Sequence, residues 1–168
     1  DNNNYFFYFT NFLEPSTLYY GDAKTSTFKK VKSLPSFFPT ENYKVQQFEA
    51  TSKDGTQIPY FVVSSKSIKL DGNNPTLLYA YGGFEIPMLP SYNATNGTAW
   101  LENGGVYVLA NIRGGGEFGP KWHQAGLKEK RQLVYDDFHS VAENLLSKKI
   151  TSPEKLGIYG GSNGGLLM

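Results

Sequence analysis

The spacing of apolar positions changes twice along this chain. In 5–12, 18–20 and 28–31 it is short and strand-like, opening on the aromatic run Tyr5-Phe6-Phe7-Tyr8-Phe9. Glu14-Pro15-Ser16 and Gly21-Asp22 supply turn signals between these runs, and no helical period occurs. Leu34-Pro35-Ser36-Phe37-Phe38-Pro39, with two prolines, reads as a linker or crossover. Two more strands are predicted at 45–51 and 57–63, joined through Lys53-Asp54-Gly55, because Asp-Gly accepts the positive φ of a hairpin turn. Pro59 has no N–H to give a neighbour, which places the second of these strands at a sheet edge.

After Asp71-Gly72-Asn73-Asn74-Pro75 the pattern becomes continuous. Segments 76–81, 106–112 and 156–159 are apolar without alternation, as in a parallel sheet covered on both faces. Residues 131–148 carry the other period: Val134, Phe138, Val141, Ala142 and Leu145 share one helical face. Asp136 and Asp137 point about 100° apart on such a helix, too far to work as a facing acid/base pair. They read as N-terminal helix charges, with Lys148-Lys149 at the opposite end. Strand, helix, strand, glycine-rich turn and the start of a helix define an α/β architecture.

Composition narrows the function classes. The 168 residues carry a net charge of +1 and a hydrophobic fraction of 39%, so nothing favours nucleic acid as a partner. There is no cysteine, which excludes disulfides, thiolate metal sites and cysteine nucleophiles. No apolar run approaches the roughly 18 residues of a membrane span. Asp1 is not an initiator methionine, and both ends fall inside patterned segments, so the chain is expected to be a piece of a longer protein. The matches to the glycosylation sequon at Asn93 and Asn96 are of the kind an Asn-rich stretch produces by chance. The sequence does not fix the compartment.

Two glycine-rich motifs compete as sites. Gly114-Gly115-Gly116-Glu117-Phe118-Gly119 fits G-x-G-x-x-G after a strand, but Pro120 follows and 121–124 show no helical period to seat a pyrophosphate. It reads as a tight loop that brings backbone close to another site, and no cofactor is expected. Gly160-Gly161-Ser162-Asn163-Gly164 fits Gly-x-Ser-x-Gly between a strand and an apolar run, the setting of a nucleophile elbow. Small flanking residues let such a turn form, aim the Ser162 hydroxyl away from the sheet, and put the Asn163 amide where an oxyanion develops. The plain alternative is a flexible turn with an ordinary serine. His123, in a loop, and His139, in mid-helix on a partly exposed face, read as structural, and no histidine–carboxylate grouping has metal-ligand spacing.

Tyr79-Ala80-Tyr81-Gly82-Gly83-Phe84, Asn111-Ile112-Arg113-Gly114-Gly115-Gly116-Glu117-Phe118-Gly119, Trp122-His123 and Gly160-Gly161-Ser162-Asn163-Gly164-Gly165 together resemble, in order and spacing, the prolyl oligopeptidase family of serine peptidases. The resemblance covers essentially the whole chain. It implies that 1–38 are the last strands of a β-propeller with its linker, and that 39–168 are the N-terminal part of an α/β-hydrolase catalytic domain. It implies Ser162 as nucleophile, the Asn163 backbone amide and the Tyr81 phenol as oxyanion donors, and Phe84 as lining of the pocket for a proline ring. Asn after the serine resembles the prolyl-specific branch; the branch that cleaves after basic residues usually has Ala there. Short proline-containing peptides are the implied partners, the full-length enzyme being a monomer. The acid and histidine of an α/β-hydrolase triad follow the serine in sequence, so they are expected beyond Met168. An esterase, an oligopeptidase of other selectivity and a non-catalytic module remain open alternatives.

Overall fold

The structure is a computed structural model that describes residues 3–168; Asp1 and Asn2 lie outside it. Two sheets organise the chain. The first is an antiparallel meander of β1 (Asn4–Phe9), β2 (Thr17–Asp22) and β3 (Thr27–Ser33). Aromatics knit it together: the Phe7 and Tyr19 rings stack at 5.1 Å, and Phe28 meets both edge-on. The first strand stops at Phe9 and does not run on to residue 12. Asn11 ends it by accepting the amides of Leu13 and Glu14 on its side-chain oxygen, both at 2.8 Å, the local bond that makes Asn a turn residue. Phe12 is thereby released into the core of the second sheet.

That second sheet has the order β4 (Tyr43–Thr51), β5 (Gln57–Ser65), β7 (Val106–Ala110), β6 (Thr76–Tyr79), β8 (Leu156–Tyr159). β4, β5 and β7 pair antiparallel, whereas β6 runs parallel to both β7 and β8. Gly55 turns the β4–β5 hairpin at φ 89°. Pro59 does not mark an edge: β5 lies between β4 and β7. The proline is tolerated because the β5–β7 ladder begins one residue later, at Tyr60 opposite Ala110. There Pro59 only accepts, taking the Asn111 amide at 2.9 Å on its carbonyl.

Helix α2 (Gln132–Ser147) covers one face of this sheet. Val134, Val141 and Leu145 are fully buried there against Ile58, Leu78, Val106 and Val108, each side chain contributing about 1.5–3 kcal/mol of burial. Tyr60 adds a polar tie, donating to Asn144 Oδ1 at 2.6 Å. The opposite face carries a second cluster of Phe12, Phe38, Tyr43, Val63, Leu101 and Leu109, with Phe38 stacked on Tyr92 at 5.3 Å. Phe12 and Phe38 therefore pack onto the second sheet from a segment preceding it. β8 differs from the expectation of strands buried on both faces: among the described residues it pairs with β6 alone, and Ile158 and Tyr159 are exposed.

Candidate active site

Parallel pairing decides what meets at the end of the sheet. Tyr79 of β6 lies opposite Tyr159 of β8, so the segments leaving these two strands, 80–84 and 160–163, emerge side by side. Ser162 sits at the turn from β8 into α3 (Asn163–Leu167), with φ 53° and ψ −119°. A non-glycine residue held there stores of order 1–3 kcal/mol, a cost that a fold keeps only where the surroundings enforce it. The enforcement is visible in the glycines. A Cβ on Gly160 would stand 2.1 Å from the Gly164 carbonyl oxygen, and one on Gly164 would stand 2.8 Å from that of Ala80. Gly161, by contrast, has open space around it. Ser162 is exposed, and its hydroxyl has no hydrogen-bond partner among the described residues.

Asn163 ties the turn to its neighbour. Its Nδ2 donates to the Tyr81 carbonyl at 2.6 Å, and its Oδ1 accepts from Arg131 Nη2 at 3.3 Å. Arg131 Nη1 donates to the Gly82 carbonyl at 2.7 Å. Its guanidinium also lies over the Tyr135 ring, 5.4 Å from the centroid. The Asn163 backbone amide has no acceptor among the described residues. Tyr81 is half-buried beside Gly164, and its hydroxyl is likewise without a partner among them. Phe84 is 73% exposed at φ 54°, so a role in core packing does not apply to it. A cleft of about 550 Å³ beside the turn is lined by Phe84, His123, Lys128, Arg131, Asn163 and Leu166. A larger hollow of about 660 Å³, lined by Phe12, Phe38 and three tyrosines, lies on the sheet face and touches no residue of 160–168. Of the two, the smaller one adjoins the Ser162 turn, through Asn163 and Leu166.

The loop 114–119 approaches this region as expected. Gly114, at φ 92°, presses on the Gly82 carbonyl, where a Cβ would come within 2.4 Å, and a Cβ on Gly116 would reach 2.1 Å from the Glu85 carbonyl. The loop leads into α1 (Pro120–Gln124), a five-residue helix that corrects the expectation of a loop at His123: Pro120 sits in its first turn, where a missing N–H costs nothing, and five residues are too few to show a period. His123 Nδ1 lies 2.8 Å from the Gly114 carbonyl and 3.1 Å from the Glu85 amide, which itself donates to that carbonyl at 3.2 Å. His139 points to solvent, its Nδ1 3.6 Å from Glu143.

One expectation is corrected outright. Asp137 is not a helix-terminal charge but a fully buried carboxylate bonded by Arg113 and Ser52. The signal was in the spacing: position 137 lies three residues after Val134 and four before Val141, on the apolar face itself. Asp136 instead accepts from Gln132 at 3.1 Å. Sequence reading also missed Arg131 and Glu117, whose partners come from distant segments. Burial raises the Glu117 carboxyl above its ordinary 4.5.

A strand-to-helix turn with a strained, exposed serine at a sheet end has the geometry of a serine-hydrolase nucleophile elbow. Residues 90–168 match the model of the prolyl oligopeptidase family. An uncharacterised peptidase of Sinorhizobium fredii is 63% identical over 163 residues, which is 97% of this chain and 22% of that protein. The prolyl endopeptidase of Elizabethkingia meningoseptica is 42% identical over 163 residues, 97% of this chain and 23% of that one. The solved structure of a post-proline cleaving enzyme from Rickettsia typhi superposes with a TM-score of 0.88 at 51% identity, covering 98% of this chain and 24% of that chain. The chain belongs to the prolyl oligopeptidase family, and it spans somewhat under a quarter of the length of these relatives.

Proposed function

We propose that this chain carries the nucleophile and oxyanion side of a serine peptidase that cleaves short peptides on the carboxyl side of proline. In this reading 39–168 form the N-terminal part of an α/β-hydrolase domain and 1–38 the end of a β-propeller. Ser162 Oγ attacks the scissile carbonyl while a histidine base takes its proton; the base and its acid come from sequence beyond the serine in this fold. The tetrahedral oxyanion is held by the Asn163 amide and the Tyr81 hydroxyl, both donors with no other partner here. Collapse of that intermediate breaks the C–N bond, and the departing amine takes the proton back from the imidazolium. Water then hydrolyses the Ser162 ester by the same route in reverse. Phe84, aromatic and exposed at the cleft, packs on the proline ring. The enzyme acts as a monomer on its peptide and uses no cofactor.

The observation that carries this reading is Ser162 held at φ 53° between glycines whose hydrogens face backbone carbonyls. It is tested in a full-length peptidase carrying this segment, on a chromogenic peptide with proline before the scissile bond. Turnover should be lost by about 10⁶ in Ser162→Ala, the cost of deleting such a nucleophile. It should also fall sharply when the substrate proline becomes alanine. Residual turnover in the Ala variant near wild type would remove Ser162 from the mechanism.

A further inference from the structure

We infer that Arg131 is a positioning residue for the oxyanion site, its two-armed guanidinium locking the nucleophile turn to the Tyr81 segment. The inference rests on the peptidase reading above. Arg131 leads into α2 and is itself anchored: its amide bonds the Lys128 carbonyl and its carbonyl accepts the Val134 amide, both at 3.0 Å. From that fixed base one arm reaches the Gly82 carbonyl and the other the Asn163 side-chain oxygen, while Asn163 Nδ2 closes the circuit on the Tyr81 carbonyl. Three segments distant in sequence, at 81–82, 131 and 163, thus form one closed ring of bonds. The two groups proposed to hold the oxyanion, the Asn163 amide and the Tyr81 hydroxyl, hang from the backbones which that ring joins.

The surroundings leave little slack. Gly114 also packs against the Gly82 carbonyl, where a Cβ would come within 2.4 Å, and a Cβ on Gly83 would come within 2.4 Å of the Asn163 side-chain amide. Reaching two acceptors in different directions requires the planar guanidinium; the ammonium of a lysine is a point charge on a flexible stem and spans only one of them well. No bond of Arg131 goes to the Ser162 hydroxyl. Its effect is therefore indirect, through donor placement, where an error of about 1 Å costs up to a hundredfold in rate.

Arg131→Gln and Arg131→Lys are compared with wild type in the full-length peptidase. For Arg131→Gln, kcat should fall about tenfold to a hundredfold with KM changed less than about threefold, and Arg131→Lys should recover part of the loss. Affinity for a peptide aldehyde ending in prolinal, whose adduct carries the oxyanion, should fall in step with kcat/KM. Affinity for the product peptide acid should not. By hydrogen exchange, amides of 79–85 and 160–168 should exchange faster in Arg131→Gln, with the β4–β5 hairpin unchanged. A kcat within twofold of wild type, or aldehyde and product affinities falling together, overturns the inference; so does unchanged exchange in those two segments. Faster exchange there in a protein that never cleaves proline peptides would keep the clamp and discard the peptidase reading.

Discussion

Both carboxylate oxygens of Asp137 are engaged by one residue, Arg113, which lies 24 positions earlier in the chain. The Arg113 amide and Nε reach Oδ2 at 3.1 and 2.8 Å, and Nη2 bonds Oδ1, which also accepts from Ser52 Oγ at 2.6 Å. The Nη1/Nη2 edge of the guanidinium bonds Asp54 in the β4–β5 turn. One buried ion cluster thus joins the hairpin, the segment leaving β7 and helix α2. A fully bonded buried pair adds little net stability over apolar packing, but removing one partner leaves the other undercompensated, here with Asp54 still on Arg113, at up to about 3–5 kcal/mol. Asp137→Ala should lower the unfolding free energy by that much, while Asp136→Ala should stay within about 0.5 kcal/mol. Equal effects at the two positions in denaturant titrations would refute the assignment.

Asp54 gives the same cluster an acid limit. The Arg113 guanidinium beside it holds its carboxyl down at about 2, against about 3.9 in an unfolded chain. A depressed carboxyl stabilises the fold above its unfolded value and loses that contribution as pH falls through the folded one. Partial exposure of Asp54 keeps the effect small. Melting temperature followed into acid should therefore drop less steeply in Asp54→Asn than in wild type. Parallel curves would show that the pair contributes nothing.

Glu117 carries the opposite sign. Its Oε1 accepts the Met88 amide at 2.9 Å, but Oε2 is buried with no partner among the described residues. Burial raises the carboxyl above 4.5, so folding favours the protonated form. Stability is full below the unfolded value and erodes as pH rises through the raised one. Glu117→Gln, which cannot ionise, should flatten the melting temperature between acid and neutral pH. An unchanged slope would mean that water or another group already compensates the charge.

The elbow glycines are not equivalent. Gly160→Ala and Gly164→Ala place a methyl against backbone oxygen, where relief requires moving the turn, and such overpacking costs about 1–3 kcal/mol or more. Gly161→Ala meets nothing within 4 Å and should leave the melting temperature within measurement error. Three similar melting curves would show that the turn adapts freely and that its strain is not enforced.

Periodic features were legible in the sequence, and closures between distant segments were not. The helix expected at 131–148 appears at Gln132–Ser147, because five apolar residues at helical spacing leave one solution. The turn at Ser162 was readable because Gly-x-Ser-x-Gly after a strand admits few backbone paths. Pro59 misled because edge placement follows from a missing donor only where a partner would use that donor, and here the ladder begins one residue later. The charges of Arg113, Arg131 and Glu117 were visible, but each gains its meaning from residues brought close only by the sheet order.

Tyr81 offers the most direct test of the proposed oxyanion site. Its backbone carbonyl is gripped by Asn163, so the ring hangs from a segment tied to the Ser162 turn, while its hydroxyl bonds nothing among the described residues. Removing that hydroxyl breaks no contact of the fold, and Tyr81→Phe should melt within about 0.5 kcal/mol of wild type. In the full-length peptidase the same change should lower kcat about 10²–10³-fold, the usual loss for one oxyanion donor, with KM nearly constant. The constancy of KM matters because the ground-state carbonyl carries little charge for the phenol to hold, whereas the tetrahedral intermediate carries a full one. Steady-state kinetics on a proline-containing chromogenic peptide, beside a thermal melt of the same preparation, separate the two roles. Wild-type turnover with an unchanged melt would leave Tyr81 without a part in the chemistry; a large fall in melting temperature would make it a packing residue after all.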